Sequence, residues 1–125
     1  MPEHRSSRAV EASEIVSRII RARKARAEHF RLDLFSDPAW DMLLALFVAS
    51  VRGQIVTATE LAEATATSIP SAARWIDVLE RDGLLQRKPE PASLGQDIVE
   101  LGSRGMAAIY NWIENCGLTS PRGGA

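Results

Sequence analysis

The side chains best equipped for chemistry in this sequence are arginines. Arg74, Asp77 and Arg81 stand at i, i+3 and i+7, a spacing that puts all three on one side of a helix. A guanidinium is a planar fork of donors that grips two acceptors at once, on a carboxylate, a phosphate or a base edge. The same spacing equally allows an intrahelical ion-pair ladder facing water with no ligand at all. A second basic run, Arg21-Ala-Arg-Lys-Ala-Arg26, does not keep to one side of a helix. Arg23 and Arg26 project near the line of Ile19 and Phe30, so they must snorkel, meet acids of the 33–69 segment or touch a phosphate backbone; a solvated helical face is the simpler alternative.

Enzyme chemistry is poorly supplied. His4 and His29 have no Cys or carboxylate neighbours at metal-ligand spacing. There is no G-x-x-x-x-G-K-S/T, G-x-G-x-x-G or G-x-S-x-G. No catalytic residue, metal site or cofactor is therefore expected. The single cysteine, Cys116, forms no intrachain disulfide and reads as a half-buried, inert thiol at a helix end near Trp112. Nothing points to an oxidising compartment. Met1-Pro-Glu-His-Arg5 lacks the apolar core of a signal peptide, and the longest apolar run, Met42–Ala49, is far short of the ~20 residues of a membrane span. A cytoplasmic protein without membrane partners is expected.

A length of 125 residues, 46% hydrophobic and 25% charged, suits one small globular domain with its own core. The net charge of −1 argues against a general polyanion binder, but it sums unlike segments. Residues 1–32 hold eight bases and four acids, residues 33–69 set Arg52 against Asp33, Asp37, Asp41, Glu60 and Glu63, and residues 70–90 balance four bases with four acids. Local electrostatic recognition stays open.

The elements that must carry these residues follow from periodicity and punctuation. From Arg8 to Arg31 there is no Pro or Gly, and Val16, Ile19, Ile20, Ala27 and Phe30 recur at helical spacing. Asp37-Pro38 starts a second helix, Asp37 as cap and Pro38 in the first position, that runs to about Arg52 and is apolar around much of its circumference. It belongs in the middle of the domain. Gly53 stops it. Thr57-Ala-Thr-Glu60 reads as a capping box for a short third helix, and Ser68 with Pro70 opens a fourth that closes at Asp82-Gly83. On a wheel from Ser68, Ala72, Trp75, Ile76 and Leu79 point inward, while Pro70, Arg74, Asp77 and Arg81 point away. Leu84–Lys88 and Gln96–Leu101 read as two strands around a breaker-rich turn, Val99 and Leu101 facing opposite to Ile98 and Glu100. Gly102-Ser103 caps a last helix striped with Met106, Ile109, Tyr110 and Ile113, which Gly117 ends. The fold class is mostly α with a small β-hairpin, a helix-turn-helix and hairpin set between a long N-terminal helix and a C-terminal helix. Residues 1–35 form an N-terminal helical extension, 36–102 the helix-turn-helix with its hairpin, 103–117 the C-terminal helix and 118–125 a flexible tail.

In that order of elements the chain resembles the MarR-like winged-helix transcriptional regulators. The resemblance is carried by Thr57-Ala-Thr-Glu-Leu-Ala-Glu-Ala64, by Ser68-Ile-Pro-Ser-Ala-Ala-Arg-Trp-Ile-Asp-Val-Leu-Glu-Arg-Asp-Gly-Leu-Leu85 and by Val99-Glu-Leu-Gly-Ser-Arg-Gly105, over roughly residues 37–115. It implies a homodimer on double-stranded DNA, with the helix at about 68–82 in the major groove and the hairpin at about 84–101 beside it. On that basis Arg74 is the expected base reader, Ser68, Pro70 and Ser71 lie at the groove-facing helix start, and Arg81, Arg87 and Lys88 complete the DNA-contacting set. The resemblance also implies dimerisation through the first and last helices, by way of Ile15, Ile19, Phe30, Ile109, Tyr110 and Ile113. The hairpin turn, Ala92-Ser-Leu-Gly-Gln-Asp97, departs from the Asp-x-Arg-Arg-like run of such relatives and carries no base. A small-molecule effector is left unassigned. The alternative is a winged-helix protein-interaction module with weak or no DNA binding.

Overall fold

The computed structural model describes residues 7–29, 37–89 and 97–116, with the side chains of 26–29 set aside. Two helices come first, α1 (Ser7–His29) and α2 (Pro38–Arg52). A two-residue strand β1 (Val56–Thr57), then α3 (Ala58–Ala64) and α4 (Ile69–Arg81), follow. The hairpin strands β2 (Leu85–Pro89) and β3 (Asp97–Leu101) and the helix α5 (Ser103–Asn115) complete it. Phe30, the hairpin turn, Gly117 and the tail lie outside the described residues, as does the side chain of Arg26.

Local chemistry sets most boundaries. Asp37 accepts from the Trp40 N–H, and Gly53 closes α2 with φ +68°, a left-handed conformation that costs a side chain dearly and glycine little. The capping box is complete: Thr57 Oγ1 accepts from the Glu60 N–H at 3.2 Å and Glu60 Oε1 from the Thr57 N–H at 2.9 Å. Ser68 Oγ accepts from the Ser71 N–H at 3.3 Å at the start of α4. The turn between α3 and α4 puts Ala66 at φ +52°, held by the Thr65 and Thr67 hydroxyls, 2.9 Å apart. One expectation needs correction: the cap of α5 is Gly102 and no side chain bonds there, with Ser103 already inside the helix.

The core is centred on α2, as its all-round apolar surface requires. Met42, Leu44, Leu46 and Phe47 are essentially inaccessible and meet Val16 of α1, Leu61 of α3, Ile76 of α4, Val99 of β3 and Ile109 and Ile113 of α5 in one cluster. Arg23 reaches Asp41 at 2.5 Å, joining α1 to α2. Arg23 of the basic run thus meets the acidic segment, one of the alternatives that its apolar-side position left open. Two edge-to-face ring pairs tie α2 to α5, Trp40 with Trp112 at 4.7 Å and Phe47 with Tyr110 at 5.3 Å between centroids.

The sheet is antiparallel in the order β1-β3-β2. Its first strand was not anticipated. Val56 pairs with Val99 and Thr57 with Ile98, so the β-branched stretch before α3 covers the inner edge of the hairpin. Leu85 pairs with Leu101 and Arg87 with Val99. Because side chains alternate along a strand, Leu85 and Arg87 share one face while Gln86 and Lys88 share the other.

Candidate nucleic-acid interface

Helix α4 buries Ala72, Ile76 and Leu79. The opposite side must then carry Pro70, Arg74, Asp77, Val78 and Arg81 by helical geometry. Pro70, Arg74, Val78 and Arg81 are exposed and Asp77 is half-buried. Ser68 is exposed and Ser71 half-buried at the helix start. Arg74 Nη2 donates to Ser71 Oγ at 3.1 Å, which holds the guanidinium along the outward face. Both hydroxyls keep their own protons for an outside acceptor, because each here accepts rather than donates.

Trp75 departs from its expected place. It is 38% exposed, because it lies on the flank of α4 rather than on the Ile76–Leu79 line. Val78 is more exposed still, at 47%. It stands between Arg74 and Arg81 along the helix, at i+4 and i−3, and puts an apolar group at the edge of the outward face nearest Trp75. Its spacing of four from Arg74 is the sequence signal for that position.

The intrahelical ladder is not what the structure contains. Asp77 pairs instead with Arg87 of β2, which also takes Glu80 at 2.8 Å through Nη2 and 3.1 Å through Nε. Strand alternation explains the reach, since Arg87 shares the face of Leu85, which is buried beneath α4. Hydrogen bonds donated first to Glu80 and then to Asp77 raise the Arg87 pKa further above its already high value. Arg74 and Arg81 have no carboxylate partner among the described residues. On the other hairpin face, Lys88 pairs with Glu100 at 3.1 Å. Both bases assigned to the hairpin therefore carry acid partners, and Arg87 points at α4.

The residues assigned to a dimer interface divide differently. Ile15, Ile109 and Ile113 are 5% exposed or less in the single chain, so their apolar surface is already spent on the protomer's own core. Ile19 and Tyr110 are half-buried; Tyr110 lies under the Arg8 guanidinium at 4.5 Å from its ring centroid. Arg8 also pairs with Glu114, closing α1 onto α5. Cys116 is exposed rather than half-buried. Among the described residues no group of His, Cys, Asp or Glu is arranged to hold a metal ion, and no helix is long and apolar enough to cross a membrane.

No family model and no curated protein matches the chain. Solved structures do. The AF1382 protein of Archaeoglobus fulgidus aligns over 71% of this chain and 96% of its own, at 17% identity and a TM-score of 0.57. A mutant MarR from E. coli aligns over 83% and 72%, at 18% identity and 0.57. S. aureus MepR, in a structure described as its DNA-binding conformation, aligns over 84% and 78%, at 16% identity and 0.52. At such identities the likeness is one of backbone. The chain shares the winged-helix fold of the MarR and MepR structures.

Proposed function

We propose that the chain is a DNA-binding transcriptional regulator that sets α4 in the major groove of double-stranded DNA with the hairpin beside it. One observation carries this reading. Arg74 and Arg81 project from the side of α4 away from the core with no carboxylate on them among the described residues, because Arg87 has taken Asp77. A guanidinium with no carboxylate on it at such a position can match the two acceptors on a guanine edge, worth ~1–3 kcal/mol of discrimination. Ser68 and Ser71 supply hydroxyl donors, and Pro70 a smooth apolar edge, where the helix start approaches the backbone. The likeness to MepR in its DNA-binding conformation supports the assignment.

The regulator acts as a homodimer whose α4 helices read half-sites about one helical turn apart. With two free arginines on α4 and the hairpin bases paired, its salt dependence is shallow beside that of strongly basic regulators. The test is selection of duplexes from a randomised pool, followed by titration. Arg74→Ala is expected to cost roughly 5- to 100-fold in affinity and to relax preference at one base pair. Unchanged affinity and preference would refute the role.

A second reading has its own observation. Trp75, Val78 and Ile69 are all exposed on α4 while Arg87 and Lys88 are neutralised, which suits a protein-interaction module. Absence of salt-dependent duplex binding at low ionic strength, together with a stable protein partner, would favour it.

A further inference from the structure

We infer that Arg87 is a positioning residue for the DNA-reading face: braced on Glu80, it holds Asp77 away from Arg74 and Arg81 and makes no phosphate contact itself. The inference rests on the DNA-binding reading above and reverses the direct role that a base in the hairpin first suggests.

The geometry on α4 makes the choice. Asp77 sits three residues from Arg74 and four from Arg81, close enough on a helix to pair with either. Pairing there would fold the guanidinium forks back onto their own helix and use the donors that a base edge needs. Arg87 approaches from β2 on the flank where Asp77 and Glu80 lie, and a single guanidinium engages both carboxylates. Its side chain is 32% exposed, less than either acid, so it is wedged between strand and helix rather than extended toward solvent. One of the two negative charges on that flank of α4 is offset at the same time, and left uncompensated the pair would repel phosphates across the short distance that salt screens poorly. The cross-link also fixes the hairpin against α4, setting the angle at which the two approach a duplex.

The test uses the full chain and the tightest duplex recovered from a randomised pool. Affinity is measured over a range of salt for the wild type, Arg87→Ala, the pair Asp77→Asn with Glu80→Gln, and the triple variant, each checked for folding by thermal unfolding. Arg87→Ala is expected to lose about tenfold in affinity. The triple variant is expected to recover to within about threefold of wild type with the wild-type salt slope, since neither carboxamide captures Arg74 or repels phosphate. A direct phosphate contact predicts the opposite: no recovery, and a slope lower by about one in every variant without Arg87. That result, with wild-type binding intact, overturns the positioning role alone. Failure of the wild type to bind any duplex overturns the DNA reading and this inference with it. If Arg87→Ala fails to fold, the comparison passes to Arg87→Gln, which keeps the stem packed beneath α4 and loses the charge.

Discussion

Glu100 illustrates how much of this hairpin is settled by single side chains. Gln86 Nε2 donates to its carboxylate at 2.5 Å and Lys88 Nζ approaches at 3.1 Å. The Gln86 bond, with a smaller contribution from Lys88 and against the opposing effect of burial, holds the pKa of Glu100 below its ordinary 4.5. A carboxylate depressed on folding contributes stability above its unfolded pKa and loses it as pH falls through the folded one. Wild-type stability is therefore expected to fall more steeply than that of Glu100→Gln from about pH 5 to about pH 3, read from urea midpoints. Equal pH dependence would disprove the contribution. The cross-strand partnership was not legible beforehand, because it depends on a register of Gln86 opposite Glu100 that no local pattern states. Arg74 was legible, since the 3.6-residue period alone puts it opposite Ala72, Ile76 and Leu79. Arg87 was visible as a base but not as a clamp, for its partners sit on another element.

At the scale of elements, helix starts and stops were the most readable feature. Asp37, Thr57 and Ser68 all cap as their side chains dictate, because a cap is a short-range exchange of hydrogen bonds within four residues. The strand β1 escaped notice because two residues cannot display an alternation, and only pairing with β3 makes Val56–Thr57 a strand. Gly105 belongs to the same class of non-local cause. It sits in the first turn of α5 against the turn after α4, where a Cβ would stand 2.2 Å from the Leu84 carbonyl oxygen and 3.1 Å from the Leu101 side chain. Gly105→Ala would gain about 1 kcal/mol of helix propensity but must push backbone apart, at about 3 kcal/mol for overpacking. A net loss on the order of 2 kcal/mol is expected in denaturant unfolding, and a stabilised variant would show that the turn yields freely.

For the whole molecule, the central place of α2 was evident from its apolar circumference, whereas the division between core and interface was not. An apolar stripe on a terminal helix looks the same whether its cover comes from its own chain or from a second copy. Here Ile15, Ile109 and Ile113 are covered by their own chain, whereas among the described residues Val10, Ile19, Ile20, Met106, Tyr110 and Trp112 keep apolar surface of α1 and α5 accessible. Sedimentation equilibrium is expected to give twice the chain mass of 13.7 kDa. A lone protomer at all concentrations would remove the paired half-site. The Trp40–Trp112 contact has a further consequence. Two of the three tryptophans lock α5 to α2, while the third stands partly exposed on α4. The near-ultraviolet dichroism of the edge-to-face pair thus reports whether the scaffold is closed, and the emission lost in Trp75→Phe reports what approaches the reading helix. The protein carries two separate optical gauges, one for its framework and one for its working face, without any added label.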